Sequence, residues 1–159
     1  MEAEEVMMNR ADLEWLQGRA SLGSTAGWTA EEIRLVADLG FALAEQGRNQ
    51  EAISIFEGLA AVAPATAYFH ASLGALWLRL GDAQQAISYL NTALGIDAQD
   101  MAALINRGEA HLLLGNYEEA MKDLEAALRV SETAQAAAPA MSAARAGALL
   151  ARLRAEHGG

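Results

Sequence analysis

The side chains that could do chemistry in this chain are three histidines, a few pairs of neighbouring acidic residues and several glycine-containing turns. His70 and His111 have no second metal-ligand residue one helical turn away, so a helix would not pair either of them with another zinc ligand. We interpret both as packing residues, and His157 as part of a fraying tail. The sequence therefore predicts no metal site.

The acidic pairs and the turns also have simpler explanations than catalysis. Glu31-Glu32 and Glu118-Glu119 lie at predicted helix N-termini, where the helix dipole favours negative charge. The turn at Gly81-Asp82 follows no strand and lacks the Lys-Ser/Thr of a phosphate loop. No serine sits in a nucleophile elbow and there is no cysteine. We predict no catalytic residue, no cofactor and no enzymatic activity.

Composition places these residues in a helical, acidic protein. The chain has 159 residues, of which 53% are hydrophobic and only 2 are proline, and this predicts a single all-α domain. A formal net charge of −10 argues against binding to nucleic acid or to anionic membrane surfaces. The first residues are acidic rather than basic, and no apolar stretch approaches the ~20 residues that span a bilayer. We expect a cytoplasmic location.

An internal repeat organises the chain. Gly40, Gly74 and Gly108 are 34 residues apart, and two further columns keep the same period: Gly47, Gly81 and Gly115, and Ala52, Ala86 and Ala120. Apolar residues recur between them at helical spacing. Each unit is therefore predicted to be a pair of helices joined by a glycine turn. A glycine inside a helix costs about 1 kcal/mol relative to alanine, so its recurrence predicts close crossing of the two helices.

This pattern resembles the tetratricopeptide repeat, a helix-turn-helix unit of 34 residues. In the second unit the matching residues are Leu73, Gly74, Trp77, Gly81, Ala86, Leu90 and Ala93. The third unit departs from the family where Arg107 replaces a leucine. The resemblance implies a right-handed solenoid of three units over residues 33–66, 67–100 and 101–134.

Both flanks of the repeats are predicted to be helical, which completes a single repeat domain over residues 1–159. Residues 1–28 hold an N-terminal helix (3–21) and a loop, and Thr29 with Glu32 forms a capping box for the next helix. After an alanine-rich link that starts at Ser131, residues 138–157 hold a capping helix. This helix is basic and the third unit is acidic, so attraction between the two is one explanation of the charges, and a solvated face is the other.

The resemblance also implies a binding groove, because in this family the first helix of each unit lines the concave side. The groove positions are occupied by Arg34, Ala37, Phe41, Tyr68, Ala71, Ala75, Leu78, Arg79, Ile105, Glu109 and Leu112. Ala37 and Phe41 stand where family members that clamp a C-terminal carboxylate carry polar residues, so no such clamp is expected. The mostly small and apolar lining favours an extended protein segment with apolar anchors.

A narrower resemblance is to the class II type III secretion chaperones, which hold translocator proteins in the bacterial cytosol. The runs 55–59 and 68–75, together with the length and the acidity, are similar to that group. It implies that the partner is a secreted translocator. The alternative is a scaffold or adaptor subunit that forms a homodimer through its N-terminal helix, with Leu13, Trp15 and Leu16 in the seam.

Overall fold

The computed structural model describes residues 27–133 and 140–157, and all regular structure in these ranges is α-helical. The helices are α1 (Ala30–Glu45), α2 (Asn49–Val62), α3 (Ala67–Arg79), α4 (Ala83–Ile96), α5 (Met101–Leu113), α6 (Tyr117–Thr133) and α7 (Ala140–His157). They form three helix-turn-helix pairs followed by a last helix, which confirms the predicted all-α repeat fold.

The chain divides between Pro64 and Ala65 into two compact units. The first unit contains α1 and α2, which pack on each other. In the second unit α3 packs on α4, α4 on α5, α5 on α6 and α6 on α7, and α3 also contacts α5. A single domain over residues 1–159 stays a prediction, and the predicted helix over 3–21 lies outside the described residues.

Side chains at the helix starts explain where several helices begin. Thr29 and Glu32 form the predicted capping box: the Thr29 hydroxyl accepts from the Glu32 amide at 3.2 Å, and the Glu32 carboxylate accepts from the Thr29 amide at 2.7 Å. Asp82 caps α4 and Asp100 caps α5 in a related way, each accepting a backbone amide at 3.0 Å.

The glycine that ends each repeat's first helix has the backbone conformation predicted for it. Gly47, Gly81 and Gly115 have φ values of +76°, +82° and +75°, which L side chains adopt at a cost. The residue after each glycine donates its amide back into the helix; the Asp82 amide, for example, reaches the Trp77 carbonyl at 3.0 Å. These turns reverse the chain so that the two helices of a repeat pack together.

The small residues inside the helices allow the close crossing that the sequence predicts. A Cβ atom added at Gly74 would lie 2.4 Å from Leu90 Cγ, and one added at Gly108 would lie 3.0 Å from Leu124 Cγ. On the second helices, Ala52, Ala86 and Ala120 are all 0% exposed. Only residues of this size fit where the helix backbones approach so closely.

The last helix docks on α5 and α6 through an apolar side and through ion pairs. Ala146, Leu150 and Leu153 are buried, and Arg154 pairs with Glu125 of α6 at 2.9 Å. Arg145 forms a bidentate pair with a carboxylate of α5. The structure therefore favours the basic-cap explanation over a merely solvated face. The predicted link starts too early, because α6 continues through Thr133.

Candidate functional site

The candidate site in the second unit is one side of α3 and α5, here called the α3–α5 face. It consists of Tyr68, Ala71, Ala75, Leu78, Arg79, Glu109, Leu112 and Leu113. Tyr68 is 52% exposed and Leu113 is 64% exposed, whereas Ala71 and Leu78 are partly buried against the apolar core. The face therefore combines projecting apolar side chains with small residues that leave recesses between them.

Ile105 differs from the other predicted groove residues. It is 1% exposed and belongs to the apolar core that α4, α5 and α7 share. Family position alone placed it in the groove, but in this chain the neighbouring helices cover it. We therefore leave Ile105 out of the proposed contact surface.

The predicted groove residues of the first unit lie on α1. Arg34 is exposed and Phe41 is 55% exposed, so both are available for contact. Ala37 is buried at 8% exposure and can offer only part of its methyl surface.

A cavity of about 480 Å³ opens beside the α3–α5 face. Its lining residues are Leu78, Glu109, Leu112, Leu113, Tyr117, Leu149, Arg152, Leu153, Glu156 and His157. Three of these were predicted from the sequence, and the four helices α3, α5, α6 and α7 supply the set. Leucines form half of the lining and charged groups the rest, an arrangement typical of a recess that holds an apolar side chain under a polar rim.

Two contacts with α7 shape this cavity, and the sequence gave no direct sign of either. Glu109 accepts two hydrogen bonds from the Arg145 guanidinium, so part of its charge is used to hold α7 in place. The His157 ring stacks on Tyr117 with 3.7 Å between ring centroids. His157 is thus part of α7 and of the cavity wall, and the prediction of a fraying tail is wrong.

A buried polar cluster lies where the third repeat departs from the family pattern. Arg107 forms two hydrogen bonds with the Asp123 carboxylate, at 2.7 and 2.6 Å, and a third with Asn91 Oδ1 at 2.8 Å. The hydrogen bonds from Asp123 raise the pKa of the Arg107 guanidinium, which stays charged. The cluster ties α4, α5 and α6 together, and the substitution of a leucine by Arg107 is the only signal that the sequence carries for it.

The described residues offer no catalytic or metal chemistry that goes beyond this. Within 27–133 and 140–157, no three histidine, cysteine, aspartate or glutamate side chains come together as metal ligands would. None of the helices in the described ranges is both long and apolar enough to span a bilayer.

Comparison with known proteins supports the fold. Two family models described as tetratricopeptide repeat match residues 38–100 and 78–126. The protein FlbA of Caulobacter vibrioides is 32% identical over 99 residues, which is 62% of this chain and 17% of FlbA. Hsc70-interacting protein 1 of Drosophila melanogaster is 30% identical over 105 residues, 64% of this chain and 28% of that protein. The chain spans less than a third of the length of these curated relatives.

Solved structures match over nearly their whole length. PcrH, solved with the chaperone binding region of PopD, is 28% identical with a TM-score of 0.74, over 82% of this chain and 96% of that one. A type III secretion complex from Aeromonas hydrophila is 27% identical with a TM-score of 0.76, over 93% and 97%. The type III secretion chaperone SycD of Yersinia enterocolitica, at 19% identity and a TM-score of 0.73 over 80% and 96%, shares the fold.

These matches resemble the present chain in repeat length, in helix order and in the glycine and alanine columns described above. The two family models together cover residues 38–126, more than half of the chain. The chain belongs to the tetratricopeptide repeat family.

Proposed function

We propose that this protein is a non-catalytic binding protein that holds an extended, partly apolar segment of a partner protein on the α3–α5 face. The observation that carries the proposal is the pairing of exposed apolar side chains with a leucine-lined cavity on this face. A recess of this kind holds an anchor side chain, and a few such anchors supply most of the energy of an interface.

The partner segment is extended because the face offers recesses along two neighbouring helices rather than one deep pocket. Ala71 and Ala75 are small and leave room for side chains of the segment, while Tyr68 and Leu113 project beside them. Arg79 and Arg152 are exposed at the edges and fix the register of the segment by charge. Arg34 and Phe41 on α1 are proposed as further contacts of the partner.

In its specific form, the proposal is a cytoplasmic secretion chaperone of the translocator class. PcrH, which is 28% identical over 82% of this chain, was solved with the chaperone binding region of PopD, and this supports the specific form. By covering an apolar segment, the protein would keep a membrane-active partner soluble until secretion. The mechanism is occupancy of a surface, and no bond is made or broken.

The test is capture from a lysate of the source cells with the purified chain, followed by mass spectrometry. Tyr68→Glu and Leu113→Glu place a charge on the α3–α5 face at exposed positions, where folding tolerates it. Ile96→Glu is the matched control, since Ile96 is 42% exposed at the end of α4, which contributes nothing to that face. Circular dichroism checks that all three variants keep the helical content of the wild type.

We expect a secreted, membrane-active protein that the wild type and Ile96→Glu retain and that the two face variants lose. Each charge should weaken binding by about tenfold or more, because a buried charge without a partner costs more than 1.4 kcal/mol. Equal retention by all four forms would contradict the site. Loss of a partner that is neither secreted nor membrane-active would keep the site and contradict the secretion role.

A further inference from the structure

An apolar side of α1 is left without a covering helix in the described part of the chain. Leu35 is 59% exposed and Leu39 is 41% exposed, and they lie one helical turn apart on the same side of α1. Two neighbouring leucines exposed to this degree form a surface that another apolar element is expected to cover.

The third repeat shows what kind of element covers these positions. Ala103 and Arg107 stand two repeat periods after Leu35 and Leu39, on α5. Ala103 is 0% exposed, and Arg107 donates a hydrogen bond to Asn91 of α4 at 2.8 Å. In a first helix of a repeat, these two positions therefore face the second helix of the repeat before it. Leu35 and Leu39 expect a helix in the same place.

We propose that residues 3–21 of this same chain form that helix and cover Leu35 and Leu39. The segment carries Val6, Leu13, Leu16 and Ala20 at helical spacing on one side. At about 1.5 Å per residue, a helix over 3–21 is roughly 28 Å long and matches the roughly 24 Å of α1. The segment therefore has the length and the apolar side that the exposed surface of α1 requires.

The connection sets the direction and the register of this helix. Residues 23–27 have the composition of a loop, and the described chain begins at Gly27, two residues before the Thr29 cap of α1. A hairpin through this loop returns the segment antiparallel to α1. Counting away from the loop on both sides places Leu13 opposite Leu39 and Leu16 opposite Leu35.

This arrangement bears on self-assembly. The homodimer alternative uses Leu13 and Leu16 as part of a seam between two copies, whereas here both side chains are taken up inside one chain. The segment then acts as a cap that completes the first repeat, as terminal repeats of such proteins require. The inference concerns a different surface from the α3–α5 face, so either can fail while the other stands.

Cysteine cross-linking in the full chain tests the proposal, because the sequence has no cysteine of its own. The variant Leu13→Cys/Leu39→Cys is treated with a short bis-maleimide, and the products are identified by intact mass and peptide mapping. The control pair is Leu13→Cys/Phe41→Cys, since Phe41 is also on α1 and 55% exposed but points to another side. The pair Leu16→Cys/Leu35→Cys repeats the test one turn away.

We expect a link within one chain, at monomer mass, in a yield several-fold above that of the control pair. A covalent dimer linked through the same two cysteines would overturn the proposal in favour of a segment supplied by a second copy. Equal yields from test and control pairs would show that the segment does not cover Leu35 and Leu39. Circular dichroism of each variant before cross-linking, with the second pair as a replacement, keeps a folding defect from hiding the result.

Discussion

The second and third repeats share one skeleton but solve the same packing problem with different chemistry. In the second repeat, the position before the crossing glycine is Leu73, which is 0% exposed. In the third repeat that position is Arg107, held by Asp123, which is 6% exposed. The skeleton of glycines and alanines fixes how the helices cross, while the adjacent position accepts an apolar contact or an ion pair.

The crossings themselves also differ in tightness. An added Cβ would come within 2.4 Å of Leu90 at Gly74, but only within 3.0 Å of Leu124 at Gly108. The polar cluster therefore accompanies the looser of the two crossings. Its three members come from three helices, so it specifies one arrangement of α4, α5 and α6, whereas leucine contacts tolerate small shifts.

Removing one partner of the ion pair should have the largest effect. We expect Asp123→Ala to lower the free energy of unfolding by about 3 kcal/mol, because it leaves Arg107 charged and largely enclosed. Urea denaturation followed by circular dichroism measures the change. The double variant Arg107→Leu/Asp123→Ile copies Leu39 and Ile55 of the first repeat and should recover most of the loss; failure to recover would mean that apolar and ionic solutions are not interchangeable here.

Alanine at the two crossing glycines should separate the repeats by a smaller amount. Gly74→Ala forces Leu90 to move and should cost about 1–3 kcal/mol from overpacking, partly offset by about 1 kcal/mol of helix propensity. Gly108→Ala should cost less, since Leu124 has to give by only a few tenths of an ångström. Thermal melts of both variants measure the order, and a more stable Gly74→Ala than Gly108→Ala would contradict the difference in tightness.

Gly147 on α7 sharpens the comparison from the other side, with the smallest effect. It sits in a helix like Gly74 and Gly108, but an added Cβ there would meet nothing within 4 Å. Gly147→Ala should therefore raise the free energy of unfolding by up to about 1 kcal/mol through helix propensity alone. A decrease in the melting temperature would show that α7 is crossed closely by another element at this glycine.

The repeat could be read from the sequence because its glycines and alanines report backbone constraints that hold in any context. Gly81 needs a positive φ, and Gly74 needs the absence of a side chain, so period and residue type together predict the helix pairs. The predicted helix over 83–96 agrees with α4 as observed. Local rules of this kind also placed the Thr29 capping box.

The contacts between distant helices could not be read in the same way. Arg107 was visible as a departure from the family pattern, but its partner Asp123 depends on how α5 and α6 are rotated against each other. Ile105 shares its family position with Ala71, yet only the packing of neighbouring helices decides that one is core and the other is half-exposed. The stacking of His157 on Tyr117 depends on where α7 docks, and a period of 34 residues says nothing about that helix.

Photo-cross-linking in the source cells tests the central claim most directly, that the α3–α5 face holds the partner. Benzoylphenylalanine is introduced at Leu113 on that face and, separately, at Ile96 on α4, both exposed positions. The account predicts a cross-link from position 113 to one short stretch of a single partner protein and none to that stretch from position 96. Cross-links of equal yield from both positions, or from position 96 alone, would contradict it.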